Sequence, residues 1–323
     1  MAVVQGVVFA SHSLLFGLPL IMLLVGRPTF GSQDASIAES RFRVSRRLRN
    51  VLYAALVLGL AATAVAVYNQ ILVLAEAGGV EPSRAEMDAM FASSFGQWHL
   101  LRVPLSVAIA MALWGRVRLW GLAGVGDAAP RPPLRWWMGW ALLALALLAT
   151  ISMSGHATGQ DQPWYSVTND VVHLAAGATW MSGIILLTFV LPSAWRGANP
   201  EQKLSLLAPA VNRFAPVALV SILIVAATGV LNSFLRLEAP GDLVHSDYGR
   251  VLGLKLCGFV CIVALGTINH FVLRARLLAA RRRRQPTRAQ NVLRRSVALE
   301  AALAVVILGL TSVLVALPPT RGA

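Results

Sequence analysis

An all-α, polytopic membrane bundle of about eight spanning helices follows from three features of this sequence. Of its 323 residues, 57% are hydrophobic and only 13% are charged, with a mean hydropathy of +0.67; a soluble chain carries about twice that share of charge. Apolar runs close to ~20 residues, the length that crosses a bilayer, recur from end to end. The basic residues alternate between loops: 22 of the 28 Lys and Arg lie in every second one, the bias that marks cytoplasmic loops.

The runs cover residues 2–25, 51–75, 98–114, 136–153, 168–191, 214–235, 249–273 and 297–317, in one transmembrane domain of residues 1–323. The first has no basic stretch before it and no small-residue cleavage site after it. Arg27-Pro28 follows instead, so it reads as a retained helix and not a signal peptide. The third is interrupted near its start by Arg102 and Pro104. Loops 26–50, 115–135, 192–213 and 274–296 hold the arginines, including the run Arg281–Arg284. Both termini are therefore expected outside, N-out and C-out, as an even number of spans requires. The opposite loops are acidic, with Glu76, Glu81, Glu86 and Asp88 in one and Glu238, Asp242 and Asp247 in another. Pro82 and the residues after it suggest a short helix on the outer surface.

The net charge of +14 belongs to these loops and points to the lipid bilayer as partner, with no nucleic acid. No phosphate-binding loop motif is present, which argues against ATP hydrolysis by this chain. The two cysteines, Cys257 and Cys261, share one apolar run and make no disulfide framework.

Ionisable groups within spanning runs are expensive and point to function. Asp170 and His173 are three apart, on one face of a helix. His12, His99, His156 and His173 all fall toward the acidic side of the membrane, and only His270 falls in the arginine-rich half. Imidazole suits copper among other metals, and thioether sulfur selects Cu(I). Met153, three residues before His156, extends the set. The expected metal site is His156 and His173, with His99, His12 and Met153 as further ligands and Asp170 orienting the His173 ring. Cys257, Cys261 and His270 are candidates for a path inward. Lys255 and Glu300 are read as structural polar groups, Lys255 pairing with an outer acid and Glu300 with a cytoplasmic arginine. The alternative is an oxidoreductase, copper-containing or a b-type cytochrome, in which His12 or His99 joins His173 as haem ligand.

Ser154-Gly155-His156-Ala157, then D-x-x-H-L-A-A-G-A-x-W-x-S-G from Asp170 to Gly183, resembles the core of the copper resistance D (CopD) family of bacterial inner-membrane proteins. Ala227-Thr228-Gly229, D-Y-G-R-x-L-x-x-K from Asp247 to Lys255, Asn269-His270 and R-R-S-V-x-x-E from Arg294 to Glu300 follow in order. The resemblance covers residues 95–317. It implies an eight-helix protein of the bacterial inner membrane that handles copper, moving it from periplasm toward cytoplasm, with a transporter favoured over an enzyme. It also implies a separate or fused periplasmic copper-binding partner. The positions it carries over are His156, Asp170, His173, Trp180, Tyr248, Lys255 and Glu300.

Overall fold

The computed structural model describes residues 2–29, 35–79, 81–121, 133–155, 163–195, 198–282 and 288–320. They form ten helices: α1 (Ala2–Thr29), α2 (Ala35–Gly78), α3 (Arg84–Ala92), α4 (Ser94–Gly121), α5 (Leu134–Met153), α6 (Pro163–Trp195), α7 (Pro200–Arg236), α8 (Asp242–His245), α9 (Asp247–Arg282) and α10 (Arg288–Ala316). Among the described residues there is no strand. Seven helices (α1, α2, α5, α6, α7, α9 and α10) are long and apolar enough to cross a membrane. The remaining long helix, α4, is diluted by Gln97, His99 and Arg102, but packs against α2 and α5 as part of the bundle. The chain is therefore an all-α polytopic membrane bundle.

Several helices outrun the apolar stretches in the sequence. α2 begins at Ala35 and not near 51, α7 at Pro200 and not near 214, and α9 continues to Arg282. All three extensions lie on the arginine-rich side. Hydropathy marks the hydrocarbon crossing, whereas backbone hydrogen bonds carry a helix on into the polar layer. The short outer helix also forms as α3. Ser83 caps it, its hydroxyl accepting from the Ala85 amide at 3.2 Å, and Glu86 bonds back to the Ser83 amide at 2.9 Å, a capping box. Its hydrogen bond with the Ser83 hydroxyl holds the exposed Glu86 carboxyl below the usual carboxylate range.

α1 is the central post, in contact with α2, α5, α6 and α10. Pro19 interrupts it. Proline has no N–H, so the carbonyl four residues earlier, that of Leu15, loses its helical donor. Trp140 of α5 supplies the replacement, its indole N–H donating to Leu15 O at 2.9 Å. Where α1 crosses α6, Gly17 lets the backbones meet: a Cβ there would lie 2.3 Å from Ala178 O. Gly183 does the same between α6 and α7, where a Cβ would fall 1.9 Å from the Phe214 ring.

α1, α6 and α9 each carry a π-bulge, at Met22–Gly26, Leu186–Val190 and Asn269–Leu273, all in the half nearer the arginine-rich loops. Those arginines also fasten helix ends. Arg43 donates to Ala194 O at the end of α6 at 3.3 Å, where the helix dipole favours a cation. Arg47 sits 3.8 Å over the Phe189 ring and Arg294 4.8 Å over Trp195.

Gly17→Ala is expected to lower stability by about 1–3 kcal/mol, the usual cost of overpacking a tight core. Gly139→Ala, with nothing within 4 Å of the added methyl, leaves it unchanged or slightly raised. Thermal unfolding of the two variants in detergent checks this.

Candidate functional site

Two polar clusters occupy the half of the bundle away from the arginine-rich loops. The first lies where α1, α2, α4 and α5 meet. His12 is 2% exposed and packs against Gly59 of α2. His99, also 2% exposed, lies within electrostatic reach of it. The His99 Nδ1–H donates to Phe95 O, one turn back on α4, at 2.8 Å. That fixes the tautomer in which Nε2 carries a lone pair, and this Nε2 is buried without a partner. Neither nitrogen of His12 makes a well-formed hydrogen bond, although the Val8 carbonyl lies near the ring. Arg102, one turn from His99, is 2% exposed. Its Nε donates to Thr150 Oγ1 at 2.9 Å, and its Nη2 donates to Thr150 O at 3.1 Å and Ser154 Oγ at 2.7 Å. Nη1 has no partner. A buried guanidinium held only by neutral oxygens is costly to keep in a bundle.

The second cluster lines a cavity of about 300 Å³ between α1, α5, α6, α7, α9 and α10. Most of the wall is apolar, with Gln5, Asp170, His173, Asn232, Arg236, Tyr248 and Lys255 as its ionisable and amide groups. Arg236 Nη2 pairs with Asp170 Oδ1 at 3.1 Å and also bonds the Tyr248 side chain. Asn232 donates to the same Asp170 oxygen at 3.4 Å. Lys255 senses both Asp170 and Arg236 electrostatically. The ring of His173 is held by Thr228, Nδ1 to Oγ1 at 2.9 Å. The Thr228 hydroxyl spends its own proton on Ile224 O at 2.6 Å, so His173 is the donor in this pair. Its Nε2 lone pair is then the free one. Gly229 leaves room for the ring, since a Cβ there would touch His173 Cε1 at 3.4 Å.

The mouth of the cavity is tied by the last loop on this side. Asp242 Oδ2 accepts from the Ala239 and Glu238 amides at 3.0 and 3.1 Å and from Thr320 Oγ1 at 2.8 Å. These donors, the Ala239 amide first, hold the exposed Asp242 carboxyl below the ordinary carboxylate range. They fasten the chain beyond α10 to the end of α7, next to Pro319 and Arg236 of the cavity wall.

The expected ligand set is thus divided. His12 and His99 come together, His173 stands in the cavity apart from them, and Met153 is half-buried and not part of the cavity wall. His156 lies outside the described residues; Ser154 and Gly155, just before it, line the cavity. Ser154 joins the two clusters, because it also accepts from Arg102. Asp170 does not hold the His173 ring. Its partners are Arg236 and Asn232, both brought by α7, and Thr228 of the same helix takes the orienting role. His12 and His99 do not share the cavity with His173, so the axial pairs required for haem are not assembled. Cys257 and Cys261 are exposed on the outside of the bundle, away from the wall formed by Lys255, Phe259 and Ile262. His270 packs edge-on against Phe271, ring centroids 4.8 Å apart. Glu300 bonds Asn269 and, among the described residues, no arginine. Among the described residues no three His, Cys, Asp or Glu side chains converge as a metal cage. Arg236 and Thr228 were not singled out from the sequence as site residues. The signal for Arg236 is its place at the end of an apolar run, one turn after Asn232.

Residues 1–167 match the family model described as Copper resistance protein D-like, N-terminal domain, and residues 208–314 match Copper resistance protein D. The chain is 26% identical over 307 residues to Copper resistance protein D of Pseudomonas syringae pv. tomato, covering 93% of each protein. It is 26% identical over 186 residues to Copper transport protein CutJ of Bacillus subtilis (strain 168), covering 58% of this chain but only 32% of that longer protein. No solved structure matches.

Asp170→Asn strands Arg236 beside Lys255. We expect it to destabilise the protein by about 2 kcal/mol, below the ~3–5 kcal/mol of a fully buried pair because the side chains keep 17% and 21% exposure. Asp170→Asn with Arg236→Met should restore most of the loss in a thermal melt.

Proposed function

The chain belongs to the copper resistance protein D family, and from that membership we propose that it carries Cu(I) across the bacterial inner membrane from the periplasmic to the cytoplasmic side. Both termini face the periplasm in this reading, and the arginine-rich loops face the cytoplasm. The observation that supports a metal-accepting role is the His173 ring. Thr228 takes up its Nδ1–H, and a ligating histidine commonly donates its other nitrogen in this way. The available Nε2 belongs to a residue that lines the cavity, as do Met181 and Gly155, the residue before His156. Nitrogen and thioether donors suit Cu(I). A cargo site benefits from few ligands, since an ion held by a complete cage leaves slowly.

His12 and His99 serve as a second pair of imidazole donors, reached through the Ser154 junction. Arg102 next to them disfavours a resident cation by Coulomb repulsion, which suits brief occupancy. The family resemblance also supplies the reading of a periplasmic copper-binding protein as donor. The haem form of the oxidoreductase reading draws no support from the histidines, because His12 and His99 do not line the cavity with His173.

Purified protein loaded with Cu(I) should retain about one copper per cavity by elemental analysis. His173→Ala should lose it, and Thr228→Val should weaken binding by about 10–100-fold, the usual effect of removing an orienting partner. Unchanged copper content in His173→Ala would remove this site from consideration. Orientation has its own test, in cells of a variant lacking Cys257 and Cys261. Glu81→Cys should react with a membrane-impermeant thiol reagent added outside, while Arg281→Cys should react only after lysis.

A further inference from the structure

Glu300 lies below the floor of the cavity. Ile262 of α9 and Ala304 of α10 line that floor. Gly266 and Glu300 lie one helical turn further toward the arginine-rich side on the same two faces, about 5 Å on. The two are in register: a Cβ on Gly266 would sit 3.7 Å from Glu300 Oε1 and 3.9 Å from Ile222, another cavity residue. Glu300 is 6% exposed.

Its one hydrogen bond comes from Asn269, Nδ2 to Oε1 at 2.6 Å. Asn269 opens the π-bulge of α9. Such bulges often mark functional positions, because they can shift register at small cost. The other side-chain atom of Asn269, Oδ1, is buried and has no donor.

Among the described residues no cation is paired with the carboxyl. On α9, Arg274 is committed to Asn212 Oδ1 of α7 at 3.0 and 2.6 Å, and His270 packs on Phe271. On α10, Arg294 stacks over Trp195 of α6 and Arg295 is exposed, and on α7 Arg213 donates to Thr29 Oγ1 at 3.1 Å. On α6, Asp170 and His173 belong to the cavity and Tyr165 is exposed near the opposite end of the helix from Glu300. On α1, His12 faces α2 and Arg27 lies at the arginine-rich end. Lys255 lies 11 residues along α9 from Gly266, about 16 Å at 1.5 Å each. A bare carboxylate in such a place is strongly disfavoured, and one neutral amide donor offsets only part of that. A carboxylic acid removes the problem. It also supplies the donor that Asn269 Oδ1 lacks, closing a two-bond acid–amide pair: Nδ2–H to Oε1 and Oε2–H to Oδ1.

We infer that Glu300 and Asn269 form a proton-binding site at the foot of the cavity, and that this proton is exchanged as a monovalent cation passes inward. The second half of the inference rests on the transport reading above. A cation reaching the floor acts on Glu300 through space and favours its ionised form. The Oε2–H bond breaks, the proton leaves upward through the cavity to the acidic, outer side and is later replaced from the arginine-rich, inner side, and the local charge is unchanged while the cation is present. No electron moves. Once the cation has gone, Glu300 takes a proton back, and the cycle moves one proton against one copper.

Two measurements separate the halves. Infrared spectra of the purified protein near neutral pH, without copper, should show a protonated carboxyl band that shifts in D2O. Glu300→Gln should lose the band, and Asn269→Ala, which leaves the acid but removes its partner, should move it. A wild-type spectrum without the band, or a Glu300→Gln spectrum that keeps it, overturns the proton site whether or not copper is carried. In proteoliposomes, an acid interior should raise copper accumulation by about tenfold per pH unit for one-for-one exchange. Glu300→Gln should still bind copper at His173 yet show no response to the gradient. A wild-type response in Glu300→Gln overturns the coupling. If the wild-type protein accumulates no copper, the transport reading fails, and the infrared result still decides the proton site.

Discussion

Inside a bilayer each backbone polar group needs a partner from the protein, and this molecule is arranged around one place where that requirement is hardest to meet. Pro19 interrupts the most enclosed helix of the bundle and leaves Leu15 O without its donor. Trp140 reaches across from α5 to supply it. The contact fixes the rotation of α1. With that rotation set, Gly17 meets the Ala178 carbonyl of α6, Ser11 and His12 face Gly59 of α2, and Phe9 and Ser13 are left to wall the cavity. The position of His173 therefore depends on a proline about 150 residues earlier in the chain.

The polar residues follow an order of depth. Asp170, Arg236, Tyr248 and the Asp242 clamp sit at one end. His173 and Lys255 come next, and Glu300 with Asn269 lies beneath the floor. The ion pair at the top rigidifies the region that admits a ligand. The lone acid below has a neutral partner and stays free to change its state. Rigid entrance and responsive foot are joined by α9 and α10, which contribute to both.

Much of this was legible in the sequence. The class of the fold and seven of the eight expected spans come from apolar length and the alternation of arginines, signals that depend only on the solvent; α4 falls short of the apolar length because of Gln97, His99 and Arg102. The D-x-x-H spacing correctly put Asp170 and His173 on one face of α6. What spacing cannot show is which neighbour competes for a side chain. Arg236 is 66 residues from Asp170, and only the packing of α7 on α6 reveals that it, and not His173, takes the carboxylate. The placing of Cys257 and Cys261 was within reach. Lys255, Phe259 and Ile262 form an i, i+4, i+7 stripe, and a residue two positions from Lys255 stands about 200° around the helix from it. If Lys255 faces inward, Cys257 faces lipid. Glu300 was matched to an arginine because many lie nearby in sequence, but Arg274 bonds Asn212, Arg294 stacks on Trp195, and Arg295 is exposed.

The guanidinium of Arg102 bears on how the chain is made. An arginine at the centre of a single helix adds about 2.5–3.5 kcal/mol to its insertion and less toward an end; Arg102 lies in the outer half of α4, which carries no carboxylate to offset it. The oxygens that receive Arg102 belong to Thr150 and Ser154 at the far end of α5, residues translated some fifty positions later. During synthesis α4 is thus a poor membrane segment until its successor arrives. α4 obtains the partners of its arginine only as half of a hairpin with α5, which links the insertion of the two helices.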